Sequence, residues 1–368
     1  MSMIPIAKPL LGAEELSAIK EVLESGMVVQ GARVAAFERE FAKYLGGRHA
    51  IAVNSGTAAL HVALLAHGVG KGREVLIPPL TFFATASTAL MCGAAPAFAD
   101  VQRDTYTLDP AAVKKAVGLK TSVIMPVHLY GQTADMNPIL EVAGEKGLTV
   151  IEDAAQAHGA KYDGKMAGAI GDAACFSFYA TKTMTTAEGG MVVTNDDEIA
   201  EKCRLLRDHG QASKYEHVIV GYNYRMTDVT AAIGLVQLRK LDEWVRKRRE
   251  NAQALTRAIE EIRGLTPPVE GEHMFHSYYQ YIVRVEPSFP LKRDEIVKTL
   301  NERGIGCRPS YPMPLYEQKA LKDLNIGGKC PVAEEVVGRL FELPVHPAVS
   351  ASDVTRITTE IERLRNRR

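Results

Sequence analysis

The sequence predicts an α/β protein with a mainly parallel central sheet covered by helices, followed by a smaller C-terminal α+β unit. Between His49 and Glu152, short apolar runs alternate with helix-like segments, a pattern typical of strands that pair in parallel. After Lys182 the pattern changes, and a long helix that runs through Trp244 to Ile259 is predicted to lead into a second mixed unit from about Ser277. We therefore predict two domains, residues 1–246 and 247–368, and leave open whether the N-terminal segment packs on the smaller one.

The elements follow in order from apolar periodicity. Two amphipathic helices come first, Ala13 to Ser25 and Arg33 to Leu45. The predicted strands of the alternation are His49 to Val53, Glu74 to Ile77, Ala97 to Ala99, Ser122 to Val127 and Leu148 to Glu152, and the helices are Thr57 to Ala66, Thr85 to Met91, Pro110 to Ala116 and Met136 to Lys146. The later elements are a helix from Glu198 to Asp208, a long helix reaching Ile259, a strand from Tyr278 to Val285, and helices from Arg293 to Arg303 and Val354 to Leu364.

The charge balance, the apolar runs and the cysteine spacing of the chain disfavour several classes of protein. The chain has 368 residues, with 44 basic and 44 acidic side chains, and this balance disfavours nucleic acid as a partner. No apolar run approaches the roughly 20 residues of a membrane span, and the first residues lack the apolar core of a signal peptide. Five dispersed cysteines without metal-site spacing indicate reduced thiols and a cytoplasmic protein, and no metal site is predicted.

One lysine stands in a segment that favours chemistry. Apolar runs from Ala173 to Phe178 and from Met191 to Thr194 read as buried strands, and between them lies a small, polar segment, unsuited to a core, that holds Lys182. A lysine against apolar walls becomes available as a free amine nucleophile. The alternative for Lys182 is a solvated loop lysine.

A carboxylate accompanies this lysine. Asp153 directly follows the predicted strand Leu148 to Glu152, and strand ends of a parallel sheet gather at one edge. A lysine and a buried aspartate are the pair that a pyridoxal phosphate enzyme needs. The alternative for Asp153 is a helix N-cap.

Further residues at or near strand ends supply groups that suit such a cofactor. Gly56 and Thr57 follow Ser55 at the start of a helix, whose free N–H groups favour a phosphate, and Ser177 offers a second hydroxyl. Phe82 is placed to stack on a flat ring, and Gln156 to bond the ring's phenolic oxygen. Each residue alone has an ordinary structural alternative: a helix cap, a serine bonded inside the sheet, or a core phenylalanine.

Taken together, the motifs resemble those of the DegT/StrS-type nucleotide-sugar aminotransferases, which are fold-type I pyridoxal phosphate enzymes. The resemblance covers nearly the whole chain. Its motifs are Gln30-Gly31, Asn54 to Leu60, Pro126 to Gln132, Glu152 to Gly159, Phe176 to Phe178 with Lys182, Glu188 to Gly190, Arg207 to Gly210, Gly221 to Met226, Tyr311 to Leu315 and Leu343 to Pro347. Ala187 and Ala180 depart from the glycine and proline that are common in the family.

The resemblance implies roles for single residues. Lys182 is expected to carry the cofactor covalently, with Asp153 on the ring nitrogen, Gln156 near the phenolic oxygen and Phe82 on the ring face. Gly56, Thr57 and Ser177 are expected on the phosphate, together with Asn223 from a neighbouring subunit, so that a homodimer shares its active sites. Tyr311 and His128 are expected among the substrate contacts, and His128 has no catalytic role.

The expected reaction is transfer of an amino group from glutamate to a keto-sugar attached to a nucleotide, through pyridoxamine phosphate, in amino-sugar and polysaccharide biosynthesis. Dehydration of a deoxysugar is disfavoured, because relatives that resemble such dehydratases have histidine where this chain has Lys182. Transamination of a cyclitol ketone is an alternative that no residue excludes. A non-catalytic regulator that binds the cofactor is a weaker alternative.

Overall fold

A computed structural model describes residues 3–365 of the chain. The strands are β1 (His49–Val53), β2 (Glu74–Ile77), β3 (Ala95–Phe98), β4 (Thr121–Ile124), β5 (Thr149–Asp153), β6 (Lys161–Tyr162), β7 (Lys165–Met166), β8 (Ala173–Ser177), β9 (Gly190–Thr194), β10 (Gln211–Ser213), β11 (Glu216–His217), β12 (Leu265–Thr266), β13 (Met274–Phe275), β14 (Tyr281–Val285), β15 (Arg308–Pro309) and β16 (Leu340–Leu343). The helices are α1 (Ala13–Ser25), α2 (Ala32–Leu45), α3 (Gly56–Ala66), α4 (Ala84–Met91), α5 (Pro110–Ala116), α6 (Met136–Lys146), α7 (Asp197–Arg207), α8 (Asp228–Glu260), α9 (Arg293–Glu302), α10 (Lys319–Lys322), α11 (Pro331–Val337) and α12 (Ala351–Arg365). None of these helices is both long enough and apolar enough to cross a membrane.

Seven strands form the main sheet, in the order β1-β9-β8-β5-β4-β2-β3. The pairs from β8 across to β3 are parallel, which confirms the predicted α/β class with a mainly parallel sheet. Strand β9 is antiparallel to both β8 and β1. The reason lies in its connection to β8, because residues 178–189 hold no helix and a parallel return needs a crossover that usually contains one.

Helices cover both faces of this sheet, as side-chain alternation along each strand requires. In β8, Cys175 packs into a core that includes α3, α4 and α7. Its neighbour Phe176 points to the opposite core, where it meets Phe41 of α2 edge-on at a ring-centroid distance of 5.0 Å. Buried strands of this kind read as continuous apolar runs in the sequence, as the segment around Phe176 does.

A second sheet is antiparallel and four-stranded, in the order β12-β14-β16-β15, and packs with α9 and α12 around its own core. The N-terminal segment joins this unit, since the Ile4 N–H donates to the Gly304 carbonyl at 2.9 Å and the Gly306 N–H donates to Ile4 at 2.8 Å. Helix α8, 33 residues long, contributes Trp244 to the first core and Leu255 to the second. The predicted division after residue 246 falls inside α8, and the two domains stay a prediction. Residues 1–2 and 366–368 of these predicted domains lie outside the described part.

The predicted strand from Tyr278 begins later, at Tyr281. Residues 276–280, which we call the strap, cross the main sheet's edge instead of pairing within the second sheet. The strap's Ser277 N–H donates to the Gly131 carbonyl at 2.8 Å, and a Cβ added to Gly131, whose φ is +107°, would lie 2.6 Å from the Tyr279 nitrogen. Glycine at position 131 therefore permits the close crossing that ends the strand pattern early.

Candidate active site

Lys182 lies in the loop of residues 178–189, at the carboxyl end of β8. Its side chain is half-buried, and its Nζ lies 4.8 Å from the ring centroid of Tyr279 in the strap. The loop is more buried than the sequence predicts, since residues 183–186 are all buried. Two of its hydroxyls bond to the loop's own backbone, Thr185 Oγ1 to the Phe178 carbonyl at 3.0 Å and Thr186 Oγ1 to the Glu188 carbonyl at 2.7 Å, whereas the buried Thr183 Oγ1 has no partner among the described residues. A small polar segment can therefore be buried because it bonds to its own backbone.

The loop also contains a strained residue. Ala187 has a φ of +70°, in the left-handed region that favours glycine. This is one of the two positions where the sequence departs from the family pattern, so the departure falls on the shape of the lysine loop.

Asp153 is the last residue of β5 and is 4% exposed. Its Oδ2 accepts a hydrogen bond from Thr85 Oγ1 at 2.8 Å, and its Oδ1 accepts one from the Ala155 N–H at 3.2 Å. Burial raises the pKa of Asp153, an effect that the Thr85 bond and the nearby charge of Lys182 partly offset. The helix N-cap alternative is wrong, because turns and short strands follow Asp153 and the next helix along the chain, α7, begins only at Asp197.

His128 lies behind this edge and is fully buried. Its Nδ1 accepts a hydrogen bond from the Ala134 N–H at 3.1 Å, so Nε2 carries the proton and donates to Glu152 Oε2 at 2.7 Å. Both ring nitrogens are thus engaged inside the protein. This geometry argues against the predicted substrate contact of His128 and gives the residue a structural place instead.

Three residues predicted for the phosphate lie together at the start of α3. Ser55 caps the helix through a bond from the Ala58 N–H to its Oγ at 3.1 Å. A Cβ added to Gly56 would lie 2.7 Å from the Ser177 Cβ, so only glycine lets the helix start lie against Ser177. Within residues 3–365, the N–H groups of Gly56 and Thr57 have no acceptor. This cradle has free donors at a helix N-terminus, which suits a phosphate.

Gln156 and Tyr311 come together although 155 positions separate them. Gln156 Nε2 donates to the Tyr311 hydroxyl at 3.0 Å, and Gln156 Oε1 accepts from the Tyr130 N–H at 2.9 Å. Burial raises the pKa of Tyr311, so its hydroxyl stays protonated. The structure therefore joins a residue predicted for the cofactor to one predicted for the substrate.

Phe82 and Asn223 are both exposed. Phe82 lies between β2 and α4 with 63% of its surface accessible, which leaves its ring face free. The Asn223 carbonyl accepts a hydrogen bond from Asn54 Nδ2 at 3.3 Å, next to the helix start that holds Gly56. The exposed Asn223 side chain leaves the predicted contact with a neighbouring subunit as a prediction.

Sequence reasoning missed three residues of the site. Thr85 bonds Asp153, and Tyr279 bonds Thr181 Oγ1 through its hydroxyl at 3.0 Å, next to Lys182. His158 is buried against the Phe176 and Phe178 rings at centroid distances of 5.3 and 5.7 Å. Burial and the charge of Lys182 lower the pKa of His158 to about 3, so it is neutral. His158 stands in a motif of the family, whereas nothing local in the sequence marks Thr85 or Tyr279.

Comparison with known proteins gives the family context of this geometry. The sequence model of the DegT/DnrJ/EryC1/StrS aminotransferase family matches residues 9–362. A pleiotropic regulatory protein of Geobacillus stearothermophilus is 41% identical, with 95% of this chain and 94% of that protein covered. The GDP-perosamine synthase of Caulobacter vibrioides is also 41% identical, with 98% of each chain covered.

A solved structure shares the fold over its full length. The crystal structure of S. venezuelae DesV is 35% identical to this chain and superimposes with a TM-score of 0.93, covering 99% of this chain and 100% of that one.

The residues at this sheet edge fit pyridoxal 5′-phosphate, the cofactor of the family. The cradle at Gly56 offers donors without acceptors, and Lys182 is available at the loop. Asp153 is a buried carboxylate that forms no ion pair within the described chain, although burial opposes its charge. A protonated ring nitrogen would supply the missing cation.

Proposed function

The chain belongs to the DegT/DnrJ/EryC1/StrS aminotransferase family, and we propose that it converts a keto-sugar linked to a nucleoside diphosphate into an amino-sugar. It is a pyridoxal phosphate-dependent aminotransferase, and glutamate is the amino donor that we propose. The observation that carries the proposal is the buried, unpaired carboxylate of Asp153 at the same sheet edge as Lys182. A scaffold that only bound the cofactor would not need this costly carboxylate.

Each residue has a distinct task in this proposal. When bound, the cofactor supplies an electron-accepting ring that stabilises negative charge on the carbon bearing the amino group. Asp153 would hold the ring nitrogen protonated, and Gly56, Thr57 and Ser177 would bind the phosphate. Phe82 would cover the ring face, and Gln156 would donate at the phenolic oxygen. Lys182 Nζ would hold the cofactor and move a proton from the donor's α-carbon as general base and acid.

The nucleotide-sugar part of the proposal draws support from a relative. The GDP-perosamine synthase is similar over the whole chain, and a 40% identical protein of Bacillus subtilis is named for spore coat polysaccharide biosynthesis. Tyr311 would contact the sugar, since its hydroxyl reaches Gln156. A cyclitol ketone is an alternative acceptor, because neither residue discriminates between a free ring ketone and a nucleotide-linked one.

The proposed assembly is a homodimer in which Asn223 reaches the phosphate of the neighbouring subunit. Mixing Lys182→Ala protein with an Asn223→Ala variant that also carries a bulky change at Tyr224 tests this. A mixed dimer then has one site with both lesions and one with neither, so about half of normal activity per heterodimer returns. Verified subunit exchange without recovery would place Asn223 in its own chain's site.

We also propose a cytoplasmic location and the division into domains 1–246 and 247–368. The five cysteines are all free, which is consistent with a reducing compartment. The second core and the antiparallel sheet support a separate C-terminal unit.

Two experiments test the proposed function. Borohydride reduction and peptide mapping should place the pyridoxyl group on Lys182, and label on another lysine would remove the proposed mechanism. A panel of nucleotide-linked 3-keto and 4-keto sugars and cyclitol ketones, assayed with glutamate, should give product with one nucleotide-linked sugar. Turnover only with the cyclitols would replace the proposed acceptor.

A further inference from the structure

The backbone of the strap is strained where it passes the lysine loop. Tyr278 has a φ of +48°, in a region that a bulky side chain rarely adopts. His276 holds it there, since the Tyr278 N–H donates to His276 Nδ1 at 2.8 Å and the two rings stack at a centroid distance of 3.9 Å. Strain that the surroundings impose in this way is concentrated at functional sites. The bend determines the direction in which the chain presents the next side chain, Tyr279.

Tyr279 is held at both ends. Arg248, itself buried, donates to the carbonyls of Tyr278 and Tyr279 at 3.3 and 3.0 Å. At the far end of the side chain, the Tyr279 hydroxyl bonds Thr181 Oγ1 at 3.0 Å. The residue is 8% exposed. With its backbone and its hydroxyl both fixed, the ring has little freedom to turn.

The fixed ring presents its face to Lys182. Nζ lies 4.8 Å from the ring centroid, within the roughly 6 Å over which an aromatic face attracts a cation. Among residues 3–365, Nζ has no ion pair and no hydrogen bond, and Tyr279 is the ring that it contacts. The attraction depends on positive charge, so it acts on the ammonium form of lysine and scarcely on the neutral amine.

We propose that the ring face of Tyr279 holds the Lys182 amine while this amine carries the proton of the reaction, an assignment that rests on the proposed aminotransferase function. When Lys182 Nζ takes the proton from the donor's α-carbon, the C–H bond breaks, an N–H bond forms and the electron pair stays on the substrate side. The amine has then become an ammonium. The ring face stabilises that charge and keeps Nζ within reach for the return of the proton, which makes Tyr279 a positioning residue for the general base.

Substitutions separate the ring face of Tyr279 from its hydroxyl. Tyr279→Phe keeps the face and removes the bond to Thr181, whereas Tyr279→Leu and Tyr279→Met remove the face and keep an apolar side chain. The matched control is Tyr215→Leu, since Tyr215 is 82% exposed and its ring centroid lies 5.4 Å from the Nζ of a different lysine, Lys214. Circular dichroism first verifies that each variant is folded.

Single-turnover reaction of the loaded protein with glutamate measures the donor half-reaction. We expect its maximal rate to fall about fivefold to thirtyfold in Tyr279→Leu and Tyr279→Met, as for loss of a desolvated contact between a cation and a ring. The glutamate concentration for half-maximal rate should stay near that of the unaltered protein. Deuterium at the α-carbon of glutamate should slow these two variants more than the unaltered protein, because proton transfer then limits their rate. Tyr279→Phe should keep most of the maximal rate, and the control should not change.

A second readout needs no turnover. Cofactor-free protein is treated briefly with acetic anhydride, and peptide mapping gives the rate at which Lys182 is acetylated. A neutral amine reacts and an ammonium does not. Loss of the ring face should therefore speed the acetylation of Lys182 in Tyr279→Leu and Tyr279→Met, but not in Tyr279→Phe or the control.

Three results would overturn the proposal. The first is an unchanged maximal rate in the folded Leu and Met variants. The second is an equal loss in Tyr279→Phe, because the hydroxyl and not the ring face would then be responsible. The third is a change confined to the substrate concentrations for half-maximal rate, which would make Tyr279 a substrate contact. If the unaltered protein transfers no amino group at all, the proposed function fails, while acetylation of Lys182 still reports on the ring face.

Discussion

Glu152 and Asp153 are neighbours on one strand, and both are buried carboxylates, yet their surroundings differ. Glu152 accepts hydrogen bonds from His128 and from the N–H groups of Gly168, Ile170 and Gly171. Asp153, on the opposite face, has one hydroxyl and one N–H. Burial alone would raise both pKa values, but the bonds to Glu152 hold its pKa below the ordinary value, whereas that of Asp153 is raised. One carboxylate is satisfied by the protein, and the other keeps capacity for a partner from outside.

The largest expected effect is on folding, through Glu152→Gln. The glutamine amide has one oxygen in place of the two carboxylate oxygens of Glu152. Its NH₂ group would therefore face N–H donors that now lack an acceptor. Each buried N–H donor left without its acceptor costs about 1–3 kcal/mol. Denaturant unfolding of the cofactor-free protein measures the loss. Glu145→Gln, at a surface carboxylate that is about half exposed, is the control and should change little. A loss below about 1 kcal/mol would show that Glu152 is not the structural member of the pair.

Asp153→Asn should affect turnover and not folding, the reverse of Glu152→Gln. A neutral amide cannot stabilise a protonated ring nitrogen, and such charged bonds are worth roughly 1.5–3 kcal/mol, so turnover should fall about tenfold to a hundredfold or more. The cofactor-free variant should be at least as stable as the wild type at neutral pH, because removing a poorly satisfied buried charge costs no folding energy. Near-normal turnover would leave Asp153 without its proposed role.

The pH dependence of unfolding should separate the two carboxylates by sign. The pKa of folded Glu152 lies below its ordinary 4.5, so its contribution to stability is present above that pH and is lost as pH falls through the lowered value. The pKa of folded Asp153 lies above its ordinary 3.8, so its contribution is present below that pH and is lost as pH rises through the raised value. Cofactor-free wild type, Glu152→Gln and Asp153→Asn are compared by urea unfolding between about pH 2 and 8, a window that extends well below the ordinary pKa of Glu152 and well above that of Asp153. Curves that diverge from wild type in the same direction would contradict the comparison.

The smallest effect is expected from Thr85→Val, which removes the one hydroxyl that bonds Asp153. A hydrogen bond to an ionised group contributes about 1.5–3 kcal/mol, but Asp153 keeps its charge and its bond from the Ala155 N–H, so turnover should fall only about fivefold to tenfold. Thr88→Val is a matched control on the same helix, since Thr88 is equally buried but donates to the Ala84 carbonyl at 2.9 Å. Equal loss in both variants would assign the effect to helix α4 and not to Asp153.

Much of the fold could be predicted because it depends on local patterns. The helix α6 and the strands β1 and β2 have the predicted bounds, since apolar periodicity and end signals such as Gly147 are contained in the segments themselves. The late start of β14 could not be predicted. It depends on how the strap crosses Gly131, which lies 146 positions from Ser277.

The site shows the same limit. Lys182, Asp153 and Ser177 follow strands, and strand ends of one sheet meet at one edge whatever the remaining packing is. Glu152 and Asp153 point to opposite faces of the sheet because side chains alternate along a strand. Which of the two carboxylates finds backbone N–H donors depends on residues 168–171, whose position the strand itself does not determine. Tyr279 belongs to the strap, and its approach to Thr181 depends on tertiary packing that no local signal in the sequence reports.

The contact of Ile4 with Ile305 has a consequence for synthesis on the ribosome. The two residues form a parallel bridge across 301 positions of sequence (305 minus 4). At translation rates of about 5–20 residues per second, the Ile4 segment waits roughly 15–60 s for its partner to emerge. The main sheet is complete in sequence at Thr194, so it has time to fold first while this short apolar segment stays unpaired. For most of its synthesis, the nascent chain therefore carries the Ile4 segment without its partner at Ile305. We expect a chaperone to be most useful during this period.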